Sequence, residues 1–64
     1  MRFNEGQRVR VLQRDSGIAP GEIVTILKTR QIANVETYKA TNGEKVGFFT
    51  KDMLEEVEVL PDVH

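Results

Sequence analysis

Cysteine and tryptophan are absent from this 64-residue chain, and its one histidine is the last residue, His64. Without cysteine there is no disulfide staple, no thiolate zinc site and no thiol nucleophile. Small secreted domains usually carry disulfides, so the lack points to a reducing, cytoplasmic location. A chain end is usually poorly ordered, which argues against His64 as a metal ligand or general base. No acidic stretch has the spacing of a calcium loop. Neither a metal nor a cofactor is therefore expected. Large apolar residues never run beyond two, as in Ile23-Val24 and Phe48-Phe49, so nothing here spans a membrane. Met1 to Gly6 carry no apolar run after their charge, which excludes a signal peptide. At 7.3 kDa there is room for one domain, residues 1–64 with tails at about 1–5 and 61–64. A domain of this size buries only about 60% of its unfolded surface. An enclosed active site does not fit, and no enzyme is expected.

The net charge of −1 is unevenly divided. Residues 1–40 hold seven Arg and Lys against four acids, while residues 41–64 hold two against six. An acidic total argues against non-specific nucleic-acid binding, which depends on neutralising phosphates. The division still leaves a local basic face open.

Period-two alternation is the main structural signal. Residues 8–12, Arg-Val-Arg-Val-Leu, read as a half-buried strand. Residues 13–21 are turn-rich, with Ile18 the one large side chain able to dip into a core. Residues 22–29, Glu-Ile-Val-Thr-Ile-Leu-Lys-Thr, are rich in β-branched residues and form the strongest strand. Residues 30–34 read as a polar connection and 35–41 as a third strand. Asn42-Gly43 is a strong hairpin signal, because both residues tolerate positive φ. Residues 44–49 return as a fourth strand, in which Gly47 marks a bulge or a close backbone approach. Residues 50–54 suit one helical turn with Thr50 as N-cap. Residues 55–60 alternate again as a fifth strand, ended by Pro61. Five short strands with one face in common are best protected by curling into a small barrel.

The segment Gly21-Glu22-Ile23-Val24-Thr25-Ile26-Leu27 resembles the strand after the long loop of Src-homology-3 (SH3) domains. Gly47-Phe48-Phe49-Thr50-Lys51-Asp52-Met53-Leu54 is similar to that family's Gly-aromatic-aliphatic-Pro-x-x-Tyr-aliphatic segment. Asn42-Gly43 falls where the family has its distal hairpin. The resemblance spans about residues 8–59. It implies an all-β, five-stranded SH3-like barrel with a short 3₁₀ turn before the last strand. It also implies a core of Val9, Val11, Ile18, Val24, Ile26, Ala40, Phe49 and Leu54. The segments Gly6–Val11 and Gly21–Val24 further resemble small barrels with a KOW motif and small accessory subunits of photosynthetic complexes.

The departures bear on function. Proline-rich ligands dock on an aromatic groove. Here Thr37 and Tyr38 stand at the family's paired tryptophans, Thr50 at its groove proline and Met53 at its groove tyrosine. Proline-peptide binding therefore does not carry over. Three readings remain. The first is a non-catalytic module that binds another protein through Tyr38, Thr50 and Met53, with Arg14 added from the shortened loop. Tyr38, Phe48 and Met53 would form its exposed patch. The second is a nucleic-acid-binding barrel using Arg8, Arg10, Lys28 and Arg30, with Lys39 nearby. The third is a bacterial or phage accessory protein without binding activity of its own. The chain is expected to be a monomer or weakly self-associating.

Overall fold

The structure is a computed structural model that describes residues 2–57. It is all-β. The strands are β1 (Arg8–Val11), β2 (Ile23–Ile32), β3 (Val35–Thr41), β4 (Val46–Thr50) and β5 (Leu54–Glu56), with a 3₁₀ turn at Lys51–Met53. They form one antiparallel sheet in the order β4-β3-β2-β1-β5. Among the described residues no ladder joins β4 to β5, so the expected closure into a barrel is not present as backbone pairing.

Alternation places the core. Val9 and Val11 turn inward while Arg8 and Arg10 stay exposed. In β2, Val24 and Ile26 turn inward, and then the register slips. Ile26 faces Ala40 but Lys28 faces Lys39, so Leu27 is an extra residue. Such a bulge inverts the parity of the residues beyond it. Leu27 and Lys28 are both exposed, Thr29 turns partly inward, and Arg30 and Ile32 stay exposed.

All eight expected core residues are buried, and Phe3 and Tyr38 join them. Both additions correct the sequence reading. Residues 1–5 were expected as a tail, yet Phe3 is wholly buried, with its ring edge-on to Tyr38 at 5.2 Å. Tyr38 was expected in an exposed patch, yet it is also wholly buried. Its position explains this, since Tyr38 lies two residues from inward-facing Ala40 on β3. Its hydroxyl donates to Glu36 Oε1 (2.8 Å) and accepts from the backbone N–H groups of Arg2 (3.0 Å) and Phe3 (3.2 Å). The buried oxygen is thereby satisfied.

The connections differ in chemistry from what the residues suggested. The polar connection over 30–34 shrinks to Ala33-Asn34, with φ of 49° and 66°. Two successive positive φ values make the turn whose twist suits a two-residue hairpin. β2 therefore runs to Ile32, which pairs with Val35. At the β3–β4 turn only Gly43 has positive φ, at 99°. Asn42 works instead through its side chain, whose Oδ1 accepts from the N–H groups of Glu44 and Lys45. Thr50 makes no side-chain cap at the 3₁₀ turn. Gly47 marks a close approach, because a Cβ there would lie 2.8 Å from Cε2 of Phe49. β5 runs from Leu54 to Glu56, starting one residue earlier than expected, and Val57 lies outside it; residues 58–60 of the expected strand lie outside the described residues. Among the described residues no helix is long and apolar enough to cross a membrane.

Candidate functional site: the outer face of β2, β3 and β4

The bulge at Leu27 sets the outer face. Beyond it the ladders align Lys28, Lys39 and Phe48 in one row across the three strands. Arg30, Thr37 and Thr50 form the next row, and Ile32 and Val35 close the hairpin. Lys28, Arg30, Ile32, Thr37, Lys39 and Phe48 line a groove of about 260 Å³. Phe48 is 58% exposed and Ile32 53%, the two most exposed large apolar residues described. Lys28 and Lys39 are direct cross-strand neighbours, an arrangement that costs stability.

Charge neutralisation differs around the molecule. Arg10 Nη1 meets Glu55 Oε1 at 2.9 Å, and Lys51 Nζ lies 3.9 Å from Glu36 Oε2. Lys45 Nζ donates to the Gly17 carbonyl at 3.4 Å. Among the described residues Lys28, Arg30 and Lys39 have no ion pair. Three cations therefore share a groove with an exposed phenyl ring, with no acid among the groove residues.

The loop over residues 12–22 is, by contrast, tied down. Asp15 Oδ2 accepts from the Phe48 N–H at 2.9 Å and from Ser16 Oγ at 2.9 Å. This lays the loop along β4, an edge strand, and occupies one of its outward amides. The Glu22 carboxylate accepts from Asn42 Nδ2 (2.9 Å) and from the Ala19 N–H (2.7 Å). The Asn42 amide first, and then the Ala19 N–H, hold this carboxyl below the usual carboxylate range. The Arg2 N–H first, and then the Tyr38 hydroxyl, do the same for Glu36. Burial pushes the Tyr38 hydroxyl above its ordinary value.

Of the residues assigned to protein binding, Tyr38 is in the core and is withdrawn from the surface set. Thr50 is half-buried opposite Thr37. Met53 is half-buried against the core, and its carbonyl accepts from the Leu12 N–H at 2.7 Å. Arg14 is exposed in the loop, where its charge acts on Glu22. The burial of Tyr38 leaves Arg14, Thr50 and Met53 as the surface residues of that set. Of the residues assigned to nucleic acid, Lys28 and Arg30 share the groove. Arg8 lies one row away, opposite Thr25, and Arg10 is held by Glu55. Lys39, expected nearby, and Phe48 complete the groove, and the cross-strand register is what adds Phe48 to the cations. No family model, no curated protein and no solved structure matches this chain.

Proposed function

We propose that this chain is a non-catalytic, SH3-like barrel module that binds an acidic segment of another protein on the outer face of β2, β3 and β4. The strand order and the 3₁₀ turn between β4 and β5 are compatible with the barrel. The observation that carries the binding reading is that Lys28, Arg30 and Lys39, without an ion pair among the described residues, line one groove with Phe48. Phe48 and Ile32 give a partner apolar contact, and the cations select negative charge and exclude basic competitors. Proline-rich ligands are not the target, since Thr37, Thr50 and Met53 replace the aromatics and proline that would grip them.

Single-stranded nucleic acid is the second reading, favoured by an aromatic ring among cations, on which a base stacks. The acidic net charge of the chain weighs against it. The two separate in one titration of the full chain at low salt. The probes are a random Glu-Tyr copolymer and a fifteen-residue oligothymidylate. The copolymer is expected to bind more tightly, and the triple variant Lys28→Glu, Arg30→Glu, Lys39→Glu is expected to abolish its binding. Tighter binding of the oligonucleotide replaces the protein reading with the nucleic-acid one. Binding of neither, or binding unaltered in the triple variant, overturns the assignment of this face.

A further inference from the structure

Among the described residues the distal half of β2 has a strand on one side only. β1 pairs with β2 at Thr25, Val24 and Ile23. Residues 6 and 7 extend that contact, with the Gly6 N–H donating to the Ile26 carbonyl and the Ile26 N–H to the Gln7 carbonyl. From Lys28 to Ile32 the only ladder among the described residues is the one to β3. Among the described residues the chain leading into β1 makes no hydrogen bond to this edge. Its residues 2 and 3 bond instead to Glu36 and Tyr38.

The turn fixes which backbone groups this edge presents. In a two-residue hairpin of this type the flanking residues form a hydrogen-bonded pair. That pair is Ile32 and Val35. Counting back along an antiparallel ladder, Arg30 and Lys28 also bond to β3, while Gln31 and Thr29 direct N–H and C=O away from it. The edge therefore offers the donors and acceptors of Thr29 and Gln31, and beside them the side chains of Lys28, Arg30 and Ile32 on the outer face.

We infer that the acidic partner binds as an added antiparallel β-strand along Lys28–Ile32. This inference rests on the outer-face reading above and specifies its geometry. Backbone hydrogen bonds to Thr29 and Gln31 supply the register, and alternate side chains read the face. Opposite Ile32, Arg30 and Lys28 the partner carries an apolar residue and then two acids, with one residue between each. Opposite charges directly across a ladder stabilise the pairing. The same rule disfavours a second copy as the occupant. Two β2 edges paired antiparallel about Arg30 would set Arg30 against Arg30.

The test uses the isotope-labelled full chain and a capped nine-residue peptide in which Val, Glu and Glu alternate with threonines. Saturating peptide is expected to slow amide exchange at Thr29 and Gln31 by about tenfold or more, leaving Gly43 unchanged. Gln31→Pro removes one outward N–H, a change that an exposed edge tolerates. It is expected to weaken the peptide by about tenfold, whereas Gln31→Ala leaves binding intact. If Arg30→Glu weakens the peptide while the two amides stay unprotected, strand addition is overturned and the outer-face reading stands. If neither Arg30→Glu nor Gln31→Pro alters binding, or the peptide does not bind at low salt, strand addition fails outright. Should Gln31→Pro lose cooperative unfolding, amide exchange in the native chain decides alone. Protection that appears with rising protein concentration and no peptide identifies a second copy as the occupant and overturns the acidic-segment inference. Equal protection by oligothymidylate overturns it as well.

Discussion

Two ends of the same hairpin system are finished in opposite ways. Around the β3–β4 turn, three charged side chains have hydrogen-bond partners: Asp15 takes the Phe48 amide, Glu22 takes Asn42, and Lys45 reaches Gly17. Around the β2–β3 turn, three cations share a groove without an ion pair among the described residues, and two lysines face each other. The first end is built for stability. The second keeps an unfavourable charge pair and two exposed apolar side chains. The difference lies in the groove cations, which have no ion pair among the described residues, and it is the basis on which a ligand is proposed for the second end.

The contrast breaks most visibly at Tyr38, which anchors both the inner side of the hairpin and the N-terminal segment. Tyr38→Ala empties a fully buried site and removes the acceptor for the Arg2 and Phe3 amides. The expected loss is about 3–5 kcal/mol, measured by urea denaturation. Tyr38→Phe keeps the ring and loses the hydroxyl, with an expected cost of about 1–2 kcal/mol. A negligible effect of Tyr38→Ala would show that the N-terminal segment does not belong to the core.

Acid sharpens the same anchor. The Glu36 carboxyl titrates below its unfolded value, chiefly through the Arg2 N–H and then the Tyr38 hydroxyl, and Glu22 does so chiefly through Asn42. Unfolded glutamate titrates at about 4.3. The stability these groups contribute is complete above that value and is lost as pH falls through the lower folded-state values. The thermal midpoint is therefore expected to drop below about pH 4. Glu36→Gln is expected to lie below the native chain at pH 7 and to converge with it in acid. Parallel curves across the whole range would show that Glu36 does not drive the acid limb.

Much of this was legible in the residues, and the failures have physical causes. Val9, Val11, Val24 and Ile26 follow simple alternation, so β1 and the first half of β2 are readable. Tyr38 was readable too, from its spacing to Ala40, but its polar end suggested a surface role. Phe3 stands alone without a periodic neighbour, and only its contact with Tyr38 shows why it is buried. The site was readable in pieces. Lys28 and Arg30, two residues apart on one strand, share the groove, while Arg8 and Arg10 of the same basic set lie outside it. The union of the groove cations with Phe48 depends on a bulge at Leu27 and on register across three strands, and neither is encoded in local pattern. Ala33-Asn34 carries no glycine, so a hairpin turn there left little trace.

That turn offers a test in the stabilising direction. Ala33 holds φ at 49°, where a Cβ is strained. Ala33→Gly removes the strain at some cost in unfolded-state entropy, and a net gain of about 0.5–1 kcal/mol is expected. Hydrogen exchange at Arg30 and Ile32 is expected to slow in proportion. A loss of stability would mean that the turn is not held at positive φ.

The smallest expected effect is the most telling, because it compares adjacent residues. Phe48 and Phe49 sit side by side on β4, one 58% exposed and the other wholly buried. Phe49→Ser deletes a core ring and is expected to cost about 3–5 kcal/mol or more. Phe48→Ser lies on the outer face, where a substitution away from core contacts stays within about 0.5 kcal/mol. Its Asp15 contact survives, because that bond uses the Phe48 backbone N–H and not the ring. Stability near that of the native chain, together with weakened copolymer binding, means that the ring is held outside for a ligand. If Phe48→Ser costs as much as Phe49→Ser, the outer face is part of the core, and the contrast between the two ends fails.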